Sequence, residues 1–102
     1  MKRIEAVIRP SKLNDLMAAL DEIGIKEINI FDVKGRGLQG AQKHFYRGQV
    51  HNNDLFNKVK VEFNCPNEAV DTIVNTILKA CQTGKIGDGK IFVYPLEDIL
   101  TI

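Results

Sequence analysis

Two stretches of this chain follow one plan: a segment alternating apolar and polar residues, a proline or turn, and then a stripe of apolar residues at helical spacing. In the first, Ile4, Ala6 and Ile8 alternate with Arg3 and Glu5, and Pro10 removes the backbone donor that a longer strand would need. From Ser11 onward Leu13, Leu16, Met17 and Leu20 recur at i, i+3, i+4 and i+7, which predicts a helix buried along one face, with Gly24 as its terminator. In the second, Val59, Val61 and Phe63 alternate with Lys58, Lys60 and Glu62, and Pro66 closes the strand. Asn67 is placed to cap a helix whose stripe is Val70, Ile73, Val74, Ile77, Leu78 and Cys81, ending at Gly84.

Each helix leads into a further strand. Ile28, Ile30, Phe31 and Val33 are apolar on both faces, which predicts a strand through the middle of a sheet that ends near Lys34. Lys90, Ile91, Phe92, Val93 and Tyr94 make the fourth strand, and the apolar run Ile99 to Ile102 is read as its extension. The order strand, helix, strand, long loop, strand, helix, strand suits a ferredoxin-like α+β arrangement, βαββαβ: four antiparallel strands with two helices on one face. At 102 residues the whole of 1–102 is expected to be one domain with one core.

Composition narrows the function. A formal charge of +1 supplies no basic field, so nucleic acid is not an expected partner. No leader and no run of about 18 apolar residues is found, so direct membrane insertion is not expected and a cytoplasmic location is. Cys65 and Cys81 stand without a second Cys or His at metal-ligand spacing, so no intrinsic metal site is expected and both read as buried, reduced thiols.

Three motifs bear on chemistry. Gly35 to Gly40 satisfies the letters of a dinucleotide fingerprint, but no helical stripe follows to hold a pyrophosphate at its amino terminus. What remains is a flexible loop base, or backbone amides lining an anion site without a helix. Lys85-Ile86-Gly87-Asp88-Gly89-Lys90 likewise reads two ways: glycines that let backbone N–H groups approach phosphate oxygens between two lysines, or a plain turn from helix to strand. Between Gly35 and Leu55 about twenty residues carry no sustained period, where about four to six are usual. The centre of that loop, Lys43, His44, Phe45, Tyr46 and Arg47, mixes aromatics and cations as a partner-contact surface does, unless it folds back and buries Phe45 and Tyr46 on its own domain. As a hairpin it could reach roughly 30 Å. No Ser/His/Asp or Cys/His arrangement is present, so catalytic residues are not assigned and an enzyme is not expected.

Taken together, Val33-Lys34-Gly35-x-Gly37, Tyr46-Arg47-Gly48, Lys58 to Glu62 and above all Thr83 to Tyr94 resemble the PII signal-transduction proteins, across almost the whole chain without a gap. The resemblance implies a homotrimer that binds ATP or ADP as effector in clefts between neighbouring subunits. It also implies that residues 36–55 form a protruding regulatory loop that controls a membrane transporter or a metabolic enzyme. By position it places Gly37, Gly87, Gly89 and Lys90 at the phosphates, Val7, Asn29, Glu62 and Asn64 around the adenosine, and Gly35 and Asp88 also in the nucleotide site. Gln39, Lys58 and Gly87 are implied to serve 2-oxoglutarate and a magnesium ion brought with ATP.

The chain also departs from that pattern. Leu38 stands where the family often has a phosphate-facing Arg, and Thr101 replaces a basic residue; each lost charge-assisted contact is worth on the order of 1 to 3 kcal/mol. The sequence given ends at Ile102, one position before the place of a second such basic residue. His51 and Gln49 occupy the places of a tyrosine and a serine that are modified in some members, so neither modification has its acceptor. The expectation is therefore a non-enzymatic nucleotide-sensing regulator; the alternative is a trimeric adaptor that has kept fold and loop without effective nucleotide sensing.

Overall fold

The computed structural model describes residues 1–36 and 55–102, and the backbone of 45–46 and 49–50. Its elements are β1 (Lys2–Ile8), α1 (Leu13–Glu22), β2 (Asn29–Arg36), β3 (Phe45–Tyr46), β4 (Gln49–Val50), β5 (Leu55–Cys65), α2 (Val70–Cys81) and β6 (Gly89–Pro95). A single turn of 3-10 helix, Pro10–Lys12 and Asn67–Ala69, leads into each α-helix.

β1, β2, β5 and β6 form one antiparallel sheet in the order β2-β5-β1-β6, and both helices lie on one face of it, so the fold is ferredoxin-like. The alternation that the sequence carries is the alternation between the two faces. Ile4, Ala6 and Ile8 of β1 pair with Phe63, Val61 and Val59 of β5, and all six are buried beneath Leu16 and Leu20 of α1 and Ile73, Ile77 and Cys81 of α2. Each of the larger apolar side chains contributes about 1.5 to 3 kcal/mol by leaving water. Cys65 and Cys81 are both free and buried, and burial pushes both thiols up from their ordinary range.

The structure departs from the sequence expectations at four places, the first being the end of α2, which closes at Cys81 with an extended Gln82 and not at Gly84. β2 is an edge strand running to Arg36, because the crossover through α1 leaves a one-strand gap beside β1 that β5 fills. Its Ile30 and Phe31 are accordingly 44% and 42% exposed in the single chain. The run Ile99 to Ile102 does not extend β6, which closes at Pro95, a residue with no N–H for the ladder; residues 96–102 have no regular structure. Asn67 makes no side-chain cap, since the 3-10 turn places Ala69 at the start of α2. In the long loop, Phe45↔Val50 and Tyr46↔Gln49 pair as a two-stranded ribbon. Gly37, Gln39, Lys43, His44 and Arg47, and the side chains of Phe45 and Tyr46, lie outside the described residues.

Candidate functional site

The face of the sheet turned away from the helices carries the charged half of each alternation. By strand register Asn29, Phe31, Val33 and Gly35 stand opposite Glu62, Lys60, Lys58 and Phe56, with Glu5 and Val7 and then Phe92 and Lys90 alongside. At one end of this face, residues 83–88 fold over the end of β1 and close a cleft of about 500 Å³. Val7, Gly35, Lys58, Gly87, Gly89 and Lys90 all line it, and Asp88 stands among them.

The turn is built from the end of α2 upward. Gln82 leaves α2 in an extended conformation, and beyond it Gly84 takes a φ of +83° and Gly87 one of +93°, both in the left-handed region that favours glycine. Asp88 gathers the segment inward: its Oδ2 accepts the backbone N–H groups of Thr83 at 2.8 Å and Gly84 at 2.9 Å, and its Oδ1 accepts the Thr83 hydroxyl. Arg9, just past β1, donates Nε to Asp88 Oδ1 at 3.2 Å and Nη2 to the Ile86 carbonyl at 2.9 Å. The Thr83 hydroxyl and amide first, with Arg9 after them, hold the Asp88 carboxyl well below the usual carboxylate range. At the far end Gly89 has φ +130°, and a Cβ on it would stand 1.8 Å from the Val7 carbonyl oxygen. Only glycine therefore lets β6 approach β1 here, whatever the cleft holds.

Lys58 lies at the back of the cleft. It is only 5% exposed, donates its ammonium to the Gly87 carbonyl, and sits 5.2 Å from the centroid of the Phe56 ring. Burial, then the Arg9 charge, pulls its pKa down from the usual lysine value, and Asp88 opposes them. Arg36, Lys85 and Lys90 also line the cleft, while Asp88, the carboxylate among its lining residues, is already bound to Arg9. The cleft is thus electropositive, walled partly by Phe56 and Phe92, and suited to an anionic ligand with an apolar part.

Asn29, Glu62 and Asn64 are not in this cleft. They line a second recess of about 670 Å³, with Arg3, Glu27 and Ile28 among its other walls and Ile99 from the carboxy-terminal segment. The two recesses share no lining residue. Arg3 Nε donates to Asn64 Oδ1 at 3.3 Å, and Lys60 Nζ stands 3.9 Å from Glu62, so the second recess is polar and of mixed sign.

Sequence reasoning picked out the glycines and lysines of the turn but missed Arg9, whose partner Asp88 is 79 residues away, and gave no part to Thr83. It also missed Phe56, whose ring would meet a Cβ on Gly35 at 2.8 Å, so that glycine at 35 makes room for the aromatic wall of the cleft. Among the described residues no cluster of His, Cys, Asp or Glu could hold a metal ion, and no helix is long and apolar enough to cross a membrane.

Fold and cleft together define a small ferredoxin-like domain with an anion-receptive pocket at one end of its open sheet and a long insertion between its second strand and the next long one. The family model for nitrogen regulatory protein P-II matches the chain over residues 1–102. Over the same 102 residues, all of this chain and 91% of each relative, it is 46% identical to nitrogen regulatory protein P-II 1 of Escherichia coli strain K12. Similar coverage accompanies 45% identity to nitrogen regulatory protein P-II of Klebsiella oxytoca and 46% to that of Haemophilus influenzae. The chain belongs to the P-II nitrogen regulatory family of signalling proteins.

Proposed function

We propose that this protein senses ATP and ADP at sites shared between neighbouring copies of a homotrimer. The bound nucleotide selects among conformations of the loop at 36–55, and through that loop the protein regulates a membrane transporter or a metabolic enzyme. One observation carries the reading: Gly35, Gly87, Gly89 and Lys90 line a cationic recess that also holds Val7, while Asn29, Glu62 and Asn64 line a polar recess of mixed charge that shares no wall with it. A site completed by a second copy brings two such halves together. The half-exposed Ile30 and Phe31 on edge strand β2, and Phe92 and Tyr94 on β6, are the apolar surface that association would cover.

In this reading Lys90 and Lys85 neutralise the phosphates, with Mg²⁺ arriving on ATP. 2-Oxoglutarate binds weakly and only beside Mg-ATP, through the two N–H groups of Lys58 not given to Gly87. The loop works by population shift: a few kcal/mol of differential contact with the ligand is enough to redistribute its conformations. Leu38 and Thr101 favour a second reading, the trimeric adaptor without effective nucleotide sensing.

Calorimetric titration with ATP and ADP tests the two readings. Lys90→Ala is expected to weaken both nucleotides by about tenfold or more, since one charged phosphate contact is lost. If the wild type binds neither at millimolar concentration, the adaptor reading replaces the first. A light-scattering mass equal to one chain would remove the shared site.

A further inference from the structure

We propose that Arg9 and Asp88 are positioning residues, a clasp that fixes the turn at 83–88 over β1 so that Lys85 and Lys90 are presented to an anion, with Asp88 itself making no contact to the ligand. This rests on the reading of the cleft as a phosphate site. By sequence Asp88 lies in the middle of the glycine-lysine run and reads as a ligand-contacting group. The geometry assigns it differently. Its two oxygens already accept four donors: the Thr83 hydroxyl and Arg9 Nε on one, the Thr83 and Gly84 amides on the other. A carboxylate offers about four lone-pair sites, so none remains for a ribose hydroxyl or a metal. Left unpaired, a carboxylate in this place would also repel phosphate. Paired with Arg9, it leaves the positive charge of the cleft to the other side chains.

The clasp is needed because the turn is otherwise loose. Glycines at 84 and 87, both at positive φ, give the unfolded segment more freedom than any other residue would, and ordering them is costly. Gly89 anchors one end by its close approach to Val7. Asp88 holds the other through Thr83 and Gly84, and Arg9 fixes Asp88 and the middle of the turn as a fork: Nε binds the carboxylate while Nη2 binds the Ile86 carbonyl. Lysine, a point charge on a flexible stem, cannot serve both acceptors in fixed geometry. Lys58 holds the Gly87 carbonyl from beneath, so two consecutive carbonyls of the turn are drawn onto buried or half-buried cations.

The test uses Asp88→Asn, Arg9→Lys, Arg9→Gln and the Arg9→Gln/Asp88→Asn double variant of the full chain. ATP and inorganic tripolyphosphate are the probes, and exchange of the Thr83 and Gly84 amide protons is followed without ligand. Thr83→Ala, which removes one donor far from the core, stands in should Arg9 variants fail to fold. We expect each single variant to speed exchange at both amides and to weaken tripolyphosphate as much as ATP, by about tenfold. The double variant should add little to either single one, because both break the same clasp. Arg9→Lys should fall with Arg9→Gln despite keeping the charge. The proposal is overturned if the amides exchange faster while tripolyphosphate affinity is unchanged, or if Asp88→Asn weakens ATP alone with the amides still protected, which would make Asp88 a ribose contact. Failure of the site reading is seen separately, in the wild type: if it binds neither probe at millimolar concentration there is nothing to position, and the proposal falls with it.

Discussion

The two helices end differently and lead into very different turns: α1 passes through Ile23 straight into Gly24, whereas α2 closes at Cys81 and leaves through an extended Gln82 before Gly84 is reached. Gly24 after α1 and Gly84 after α2 take φ values of +86° and +83°, and space is open where a Cβ would stand on either. Beyond Gly24 the chain reaches β2 with one exposed ion pair, Lys26 to Asp21 at 2.5 Å, whose side chains are 65% and 68% exposed. Beyond Gly84 the corresponding segment is clasped by Asp88, Arg9 and Lys58 and forms one wall of the cationic cleft. A left-handed glycine thus terminates a helix in one half of the fold and, in the other, stands beyond an already ended helix at the foundation of a site. What separates them is side chains reaching in from β1 and β5, and not the turn sequence alone.

Five substitutions break or sharpen that contrast. The largest effect belongs to Gly89→Ala, because the added carbon would lie 1.8 Å from the Val7 carbonyl. A loss of about 3 kcal/mol or more, read from the denaturant midpoint, is expected, with β6 displaced from β1. Gly24→Ala and Gly84→Ala should each cost about 1 kcal/mol for a left-handed residue with a Cβ, so their midpoints should match. Only Gly84→Ala should also weaken anion binding. Equal binding in the two would mean that the second turn is as plain as the first.

Acid stability offers a third contrast. Asp88 has its carboxyl depressed in the folded state from an ordinary value of 3.8, so its stabilisation is complete above that value. As pH falls below it, the unfolded chain takes up a proton that the folded chain refuses, and the stabilisation is lost. Asp88→Asn should flatten stability against pH between the ordinary carboxylate value and the lower folded one, and an unchanged slope would show the clasp absent in solution. The smallest effect is expected for Asp21→Asn, within about 0.5 kcal/mol by thermal unfolding, since an exposed pair gains little in water.

Much of the fold was legible because burial imposes periods. The stripes Leu13 to Leu20 and Val70 to Cys81, the alternations of β1 and β5 and the terminating Gly24 stand where the pattern puts them, whereas α2 ends ahead of Gly84. The misreadings share a cause. Ile30 and Phe31 look like the centre of a sheet and lie at its edge, because periodicity records where a residue avoids water, not which neighbour covers it. Ile99 to Ile102 are apolar for a similar unstated reason, beyond a proline that ends the ladder. In the site, the glycines and lysines of one short run were visible as a run. Arg9 was not, because nothing in local spacing connects it with a carboxylate 79 positions on.

That a functional site is made of two half-sites from different copies is tested most directly by mixing two variants that each bind weakly. Lys90→Ala removes a cation from the phosphate recess and Glu62→Ala alters the adenosine recess, so each alone should bind ATP weakly. Unfolded together and refolded as a mixture, they should recover wild-type affinity at about one interface in four, the fraction that pairs two intact halves at random. A mixture that binds no better than its two components would place the whole site within one chain and contradict the account.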